Sequence, residues 1–286
     1  MSVNGPDFMC VGMQKAGTAW LYDQLQHHPD FWMPPIKEIH YFDRPVEDSR
    51  NLKAIEKRRI DRRWTVDAGW RELVPGDDIF FERADRAFRQ EMDIGSYINL
   101  FEPKAGLLSG DVTPGYSTLG PELIQRITAA MPALKVILLV RDPVARAWSQ
   151  VAMYNRRGKF DLRLLDDPAG LVRYVSRPAI ENRSFPTRID DNWRSALPEG
   201  QFRVFFFDDI ATRPEAVMRE ILEFLGANPK YESPLKVDFN RKAGQSKIEM
   251  SAAARDAFVA HFRDELLACR ERYGETAAAW CRSYGL

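Results

Sequence analysis

Residues 9–21 read Met-Cys-Val-Gly-Met-Gln-Lys-Ala-Gly-Thr-Ala-Trp-Leu, and this stretch decides the predicted fold. The apolar run over residues 8–12 is typical of a buried strand, and Thr18 opens an amphipathic helix. The short loop between them carries Lys15 and Gly17. Such an arrangement forms a cradle for phosphate, because free backbone N–H groups and the positive helix end point at the anion. The spacing is G-x-x-K-x-G-T, so the loop is a relative of the nucleoside-triphosphate P-loop rather than a copy.

Strands and helices alternate along the rest of the chain. The apolar run at 135–140 is the clearest further strand. Other strands are predicted at 106–110 and 202–207, and helices at 17–27, 82–101, 121–130, 143–157, 187–197, 213–225 and 251–273. This alternation predicts a single α/β domain over residues 1–286, with a P-loop-like, three-layer α/β/α fold and a central parallel sheet. We expect a helical insertion at about 44–105 and a ligand at the carboxyl ends of the strands.

Composition excludes several classes of protein. Lys plus Arg and Asp plus Glu both total 41 in 286 residues, and the zero net charge argues against bulk binding of nucleic acid. The three cysteines, Cys10, Cys269 and Cys281, cannot form a disulfide framework and lack metal-ligand spacing, which predicts a reducing, cytoplasmic location. No basic segment precedes the first apolar run, so no signal peptide is expected. No apolar run approaches the ~20 residues that span a bilayer, and nothing indicates an oligomeric state.

A second motif, the arginine motif, covers residues 140–149 and reads Val-Arg-Asp-Pro-Val-Ala-Arg-Ala-Trp-Ser. Arg141 lies where a buried strand is predicted to end, so its guanidinium is expected at the ligand edge of the sheet, where its planar fork suits phosphate. Ser149 follows about two helical turns later and could reach the same phosphate. Alternatively, Arg141 pairs with Asp142 or caps a carbonyl, and Ser149 is a small packing residue.

Several motifs in this order resemble those of sulfotransferases that use 3′-phosphoadenosine 5′-phosphosulfate (PAPS). Residues 12–18, the loop motif, resemble the 5′-phosphosulfate loop of that family, and the arginine motif resembles its 3′-phosphate motif. Residues 37–43, Lys-Glu-Ile-His-Tyr-Phe-Asp, are similar to the glutamate segment of the Golgi heparan-sulfate type and its bacterial relatives. Residues 111–116 are similar to their acidic-x-Ser/Thr-Pro-x-Tyr segment. The resemblance spans roughly residues 7–250 and implies a PAPS-dependent sulfotransferase.

The resemblance implies cofactor-binding roles for particular residues. Backbone N–H groups and one ammonium group of the loop would hold the 5′-phosphosulfate; the residues are Lys15, Ala16, Gly17, Thr18 and Ala19. Arg141 and Ser149 would hold the 3′-phosphate. Arg241 and Lys242 resemble an Arg-Lys-Gly segment that closes over the same phosphate in cytosolic members, with an exposed basic loop as the alternative.

The resemblance also implies in-line transfer of a sulfuryl group from PAPS to a hydroxyl, less readily an amine, of a carbohydrate, lipid or small-metabolite acceptor. The product would be 3′-phosphoadenosine 5′-phosphate, Lys15 would neutralise charge on the leaving oxygen, and no metal is required. Glu38 and His40 compete for the role of general base. Glu38 matches the catalytic glutamate of heparan-type members and is favoured, with His40 orienting it. His40 has an ordinary pKa of about 6.5, which also suits the role. Alternatively, Glu38 is a surface carboxylate paired with Lys37.

Three other hypotheses stay open. A kinase-like nucleotide enzyme would need a Ser or Thr directly after the loop lysine to bind Mg²⁺, and Ala16 stands there. A non-catalytic nucleotide-binding module of the same fold is disfavoured by the presence of Lys15, Glu38 and His40. The strongly charged residues 48–64 predict a solvated helix; alternatively, the basic segment at 57–63 binds an acidic polymer or a membrane surface.

Overall fold

The structure, a computed structural model, describes residues 5–43, 53, 71–238 and 248–286. These residues contain a four-stranded parallel sheet in the order β2-β1-β3-β4. The strands are β1 (Phe8–Gly12), β2 (Gly110–Val112), β3 (Lys135–Val140) and β4 (Phe202–Phe206). Every residue of β1 is buried, and so is β3 after its first residue, as expected of central strands that are covered on both faces. The predicted α/β fold with a central parallel sheet is confirmed.

Helices flank this sheet. In chain order they are α1 (Thr18–Leu25), α2 (Pro75–Ala87), α3 (Ile94–Asn99), α4 (Pro121–Ala130), α5 (Pro143–Arg156), α6 (Pro168–Val175), α7 (Pro178–Glu181), α8 (Pro186–Arg194), α9 (Phe207–Thr212), α10 (Pro214–Leu225), α11 (Ala252–His261), α12 (Arg263–Tyr273) and α13 (Glu275–Ser283). Short 3₁₀ helices cover Glu102–Lys104, Pro114–Thr118 and Leu162–Asp166. Seven of the α-helices within the described ranges begin at a proline, whose missing N–H costs no hydrogen bond in the first turn.

The sheet brings the loop motif and the arginine motif to one edge. β1 and β3 are neighbours, with Cys10 opposite Ile137 and Gly12 opposite Leu138. β1 runs into the loop that precedes α1, and β3 runs into Arg141 and then α5. Because the two strands are parallel, both connections leave from their carboxyl ends, which is where a ligand was expected.

The structure differs from the sequence-based expectation between residues 82 and 112. The single helix predicted at 82–101 is two helices, α2 and α3, and the Asp93 side chain caps α3 by accepting from the Ser96 N–H group. The strand predicted at 106–110 begins only at Gly110. Ala105 and Gly106 have positive φ angles of 48° and 92°, so the chain turns there instead of extending.

The C-terminal segment also differs in detail. The helix predicted at 251–273 is divided between α11 and α12 at Phe262, and α13 follows after Gly274. Ser251 caps α11 by accepting a hydrogen bond from the Ala254 N–H group. The buried carboxylate of Glu265 on α12 accepts bonds from the backbone N–H and the hydroxyl of Thr187, which fixes this segment to α8.

Part of the predicted insertion at 44–105 lies outside the described residues, and so does the basic segment at 57–63. Over the part of the chain that is described, no helix combines the length and the apolar character that crossing a membrane requires.

Candidate active site

The loop motif leaves the start of α1 without a side-chain cap. Gly17 is the N-cap residue, with φ 98°, and no side chain accepts a hydrogen bond from the first turn. The N–H groups of that turn, which begins at Thr18, are therefore open to an external acceptor. A Cβ at Gly17 would lie 3.0 Å from Ile210 Cδ1, so both the backbone angle and the close packing require glycine here. Ala16 and Thr18 are buried, whereas Lys15 and Ala19 are partly exposed.

Arg141 joins the two motifs. Its Nη1 donates to the backbone carbonyl of Lys15 at 2.9 Å, and its guanidinium lies 4.2 Å from the ring centroid of Phe207. Burial lowers the pKa of Arg141, an effect that the nearby Asp142 opposes. Asp142 itself caps α5 by accepting from the Val144 N–H at 2.8 Å, and it accepts a hydrogen bond from the Tyr284 hydroxyl.

Ser149 is partly buried on α5, about two helical turns beyond Arg141. The indole of its neighbour Trp148 donates to the carbonyl of Ile248 at 3.1 Å. Arg241 and Lys242 lie outside the described residues, so their role stays a prediction.

The glutamate segment, residues 37–43, places three ionisable side chains in a row. His40 Nε2 lies 3.3 Å from Glu38 Oε2, and His40 Nδ1 lies 2.8 Å from Asp43 Oδ2. The other oxygen of Glu38 accepts from Lys37 Nζ at 2.5 Å. The Glu38 side chain keeps 36% of its surface exposed, so it is the member of the row that is open to a ligand.

The row shifts the protonation of its members in opposite directions. Burial acts to raise the pKa of Glu38, but Lys37 and the hydrogen bond with His40 hold it well below its usual range. Burial acts to lower the pKa of His40, but its hydrogen bonds to Asp43 and Glu38 raise it above 6.5. Glu38 is therefore ionised at neutral pH, and the imidazolium form of His40 is favoured more than in a free histidine.

Asp43 lies in the glutamate segment and Gly115 in the segment 111–116, but the sequence alone assigns a role to neither residue. In the structure, a Cβ at Gly115 would lie 1.9 Å from Asp43 Oδ2 and 3.1 Å from His40 Nδ1. The close approach of Asp43 to His40 therefore depends on glycine at residue 115. The only signals in the sequence are the three-residue spacing of His40 and Asp43 and a glycine at residue 115 in another motif. These signals are too weak to predict the contact.

Asp111 is connected to the backbone of the glutamate segment through the hydroxyl of Tyr116. It is buried and accepts hydrogen bonds from the hydroxyls of Tyr97 at 3.0 Å, Thr113 at 2.6 Å and Tyr116 at 2.8 Å. The Tyr116 oxygen in turn accepts from the backbone N–H of Tyr41 at 3.0 Å. Burial raises the pKa of Asp111, against the effect of these three donors. This network fixes the backbone between His40 and Asp43.

Among the residues that the structure describes, no group of three or more His, Cys, Asp and Glu side chains is arranged to hold a metal ion.

Comparisons with known proteins show which sequences and structures this chain is similar to. A family profile described as "Sulfotransferase family" matches residues 6–231. Human carbohydrate sulfotransferase 15 is 22% identical over 267 residues, which cover 79% of this chain and 45% of that protein. Human bifunctional heparan sulfate N-deacetylase/N-sulfotransferase 2 is 24% identical over 320 residues, which cover 97% of this chain and 31% of that protein. The chain therefore spans less than half the length of these curated relatives.

A solved structure has the same fold. The sulfotransferase from Alicyclobacillus acidocaldarius superimposes with a TM-score of 0.64 at 23% identity, covering 93% of this chain and 94% of that one.

Proposed function

Since this chain belongs to the sulfotransferase family, we propose that it transfers a sulfuryl group from PAPS to a hydroxyl, less readily an amine, of an acceptor molecule. A carbohydrate acceptor is the first class to test, because two matched relatives are named for carbohydrate and heparan sulfate sulfation. Lipids and small metabolites are the other classes. A cytoplasmic location and a reaction without a metal belong to the same proposal.

The residues present fit the donor nucleotide. The uncapped first turn of α1 offers N–H groups to the 5′-phosphosulfate, and Lys15 belongs to the loop that leads into this turn. Arg141 and Ser149, at the start and in the middle of the adjoining motif, would take the 3′-phosphate. PAPS supplies, when bound, an activated sulfuryl group with a nucleotide leaving group. Lys15 is the cation of the loop itself, so we assign to it the stabilisation of charge that develops on the leaving oxygen.

The single observation that carries the donor site is the 2.9 Å bond from Arg141 Nη1 to the Lys15 carbonyl. It fixes the two phosphate-binding motifs relative to each other across about 126 residues of chain. Preorganised cations and N–H groups cost no rearrangement at the moment of transfer, which is the basis of electrostatic catalysis.

Glu38 is proposed to accept the acceptor proton, and His40 to orient Glu38; His40 as the base is the alternative. Glu38 is the exposed end of the row, and His40, oriented by Asp43, holds one of its oxygens. Lys37 must release the other oxygen when the acceptor binds, because the ion pair makes Glu38 a poor base in the resting protein. Asp43 acts through His40 and is a positioning residue.

Calorimetric titration tests this function. The purified chain is titrated with 3′-phosphoadenosine 5′-phosphate, without added metal, and with ADP as the control nucleotide. Tight binding that requires the 3′-phosphate is expected, and Arg141→Lys should weaken it selectively. A preference for ADP, or for ATP with magnesium, would instead support the kinase-like hypothesis.

A further inference from the structure

Arg146 is a fully buried arginine with incomplete hydrogen bonding. It lies on α5 between Arg141 and Ser149, and none of its surface is exposed. Its Nη1 is 3.4 Å from Gln150 Oε1 and its Nη2 is 3.3 Å from the Ile180 carbonyl, both longer than ordinary N–H···O bonds. Its Nε has no acceptor among the described residues.

Two further buried N–H donors near Arg146 also lack an acceptor among the residues described. Gln150 Nε2 is buried without an acceptor in the described part of the chain, and so is Arg183 Nε. Gln150 is four residues after Arg146 on α5 and bonded to it, and Arg183 is close enough to influence the charge of Arg146. Three unsatisfied N–H donors therefore belong to one cluster, which we call the Arg146 cluster: Arg146, Gln150 and Arg183.

Within the described ranges, neither Arg146 nor Arg183 forms an ion pair with a carboxylate, and the charge near Arg146 is mainly positive. The charged groups that most affect Arg146 are the two other arginines, Arg183 and Arg141. Burial and these like charges lower the pKa of Arg146 to about 9, so it remains cationic at neutral pH. A buried guanidinium without a counter-ion is strongly unfavourable, and so is each unpaired buried donor.

We propose that the Arg146 cluster binds a small monovalent inorganic anion, chloride in the simplest case, between α5 and the segment that follows α7. The complete burial of Arg146 and Gln150 favours a small ion with a modest dehydration cost over a divalent oxyanion. Arg146 has no exposed surface, unlike Arg141 and Ser149, so the proposed anion would not occupy the solvent-accessible place proposed for the donor nucleotide.

The bound anion would connect the nucleotide loop to the rest of the α/β core. Arg183 Nη1 lies 3.5 Å from the side-chain oxygen of Gln14, the residue before Lys15. Without the anion, Arg146 and Arg183 repel each other, and Arg183 is free to move away from α5 and from Gln14. The anion is therefore a structural ligand that stabilises the folded state.

Thermal unfolding of the full chain in chloride and in gluconate, at constant ionic strength, tests the proposal. Chloride between 1 and 100 mM should raise the Tm by roughly 3 °C and then saturate, as binding to the native state requires. The measurement is repeated with Lys15→Ala, which disables the proposed donor loop and should keep the chloride effect. Failure of the donor site and failure of the anion site are thereby distinguished.

Matched variants identify the site. Gln150→Met removes one donor at constant shape and should abolish most of the chloride effect. Arg163→Met, at a side chain that is 90% exposed, should leave the effect intact. Arg146→Met should fold without any chloride dependence; if it does not fold, Gln150→Met still decides.

Crystals grown in bromide supply the direct test. An anomalous peak within hydrogen-bonding distance of Arg146 Nε and Gln150 Nε2 is expected. A water molecule or a carboxylate of the chain in that place would overturn the proposal. Equal melting temperatures in the two salts would also overturn it, as would a chloride effect unchanged in Gln150→Met.

Discussion

The carboxylate of Asp43 fills the space in which a side chain on Gly115 would begin. A Cβ built on Gly115 would lie 1.9 Å from Asp43 Oδ2, and that same oxygen is 2.8 Å from His40 Nδ1. The orientation of the imidazole therefore depends on the absence of a single methyl group from a segment about 70 residues away in the sequence. The proposed proton-transfer row can be disturbed from outside, without altering any of its own members.

Gly115→Ala should displace Asp43 and leave His40 poorly oriented. We expect kcat to fall ~10–100-fold, since small misplacements of catalytic groups have effects of this size, while donor affinity is unchanged. Steady-state kinetics and calorimetry measure the two quantities. Gly120→Ala is the control, because a Cβ at Gly120 would meet nothing within 4 Å. Equal turnover in both variants would show that Asp43 does not position His40.

Glu38→Gln should remove transfer and spare the donor site. Loss of a general base lowers the rate by ~10²–10⁴-fold, and the amide keeps the size of the side chain. Affinity for 3′-phosphoadenosine 5′-phosphate should stay within about twofold of the native value, because Glu38 belongs to the acceptor side of our proposal. If His40→Ala abolishes transfer and Glu38→Gln does not, histidine is the base.

His40 should make stability depend on pH in a defined direction. Hydrogen bonds to Asp43 and Glu38 raise its pKa above 6.5, so its contribution to the free energy of unfolding is complete below pH 6.5 and is lost as pH rises through the folded-state pKa. Urea unfolding of the native chain and of His40→Gln, at a pH of about 5.5 and of about 8.5, measures this contribution. The native advantage should be larger at the lower pH. An advantage that grows with pH would contradict the pairing.

Lys15→Ala should abolish transfer, and Arg141→Lys should weaken donor binding about tenfold. The first variant removes the loop cation, an effect of ~10²–10³-fold on kcat. The second variant keeps the charge but loses the planar guanidinium. In the native chain, one N–H group of that guanidinium binds the Lys15 carbonyl, and its other N–H groups remain for phosphate. Calorimetry with 3′-phosphoadenosine 5′-phosphate and turnover at saturating PAPS separate the two effects. Near-normal turnover of Lys15→Ala would refute the assignment of the loop.

Phe207→Leu should weaken donor binding by about two- to fivefold, the size of one cation–π contact. The ring lies 4.2 Å from the Arg141 guanidinium and limits its movement. Phe224→Leu is the matched control, since its ring faces Lys135 at the start of β3 instead. Turnover at saturating PAPS should be unaffected in both variants. Identical donor affinities would show that the ring does not help to position Arg141.

Much of the fold could be predicted because its signals are local. The apolar run of β3 and the glycine-containing loop before α1 depend on neighbouring residues alone. The division of the last predicted helix at Phe262 could not be read from the sequence, because polar and apolar residues continue through the break with helical spacing. The start of β2 was displaced for a different reason, the positive φ of Ala105, a residue that rarely adopts this conformation.

In the candidate site, too, some residues could be predicted from local motifs and others depend on contacts between distant segments. Lys15, Glu38 and Arg141 could be identified because each stands in a motif with its own spacing. The positioning role of Asp43 and the burial of Arg146 depend on contacts with Gly115 and with Ile180, which are distant in sequence. No local pattern distinguishes a buried motif arginine from an exposed one.

The prolines at the first position of seven of the described helices fix the residue at which each of these helices begins. The residue before a proline is disfavoured in helical geometry, so none of these helices can slide or lengthen past its first residue. The first-turn N–H groups of each helix still lack intrahelical acceptors, but the residue at which the helix begins cannot shift, whereas its C-terminal end carries no such constraint. For α5 this means that the boundary at Pro143, next to Arg141, is fixed, whereas the boundary beyond Ser149 is not fixed in this way. The end of α5 that our proposal places against the donor phosphate is thus the end whose position the sequence itself specifies.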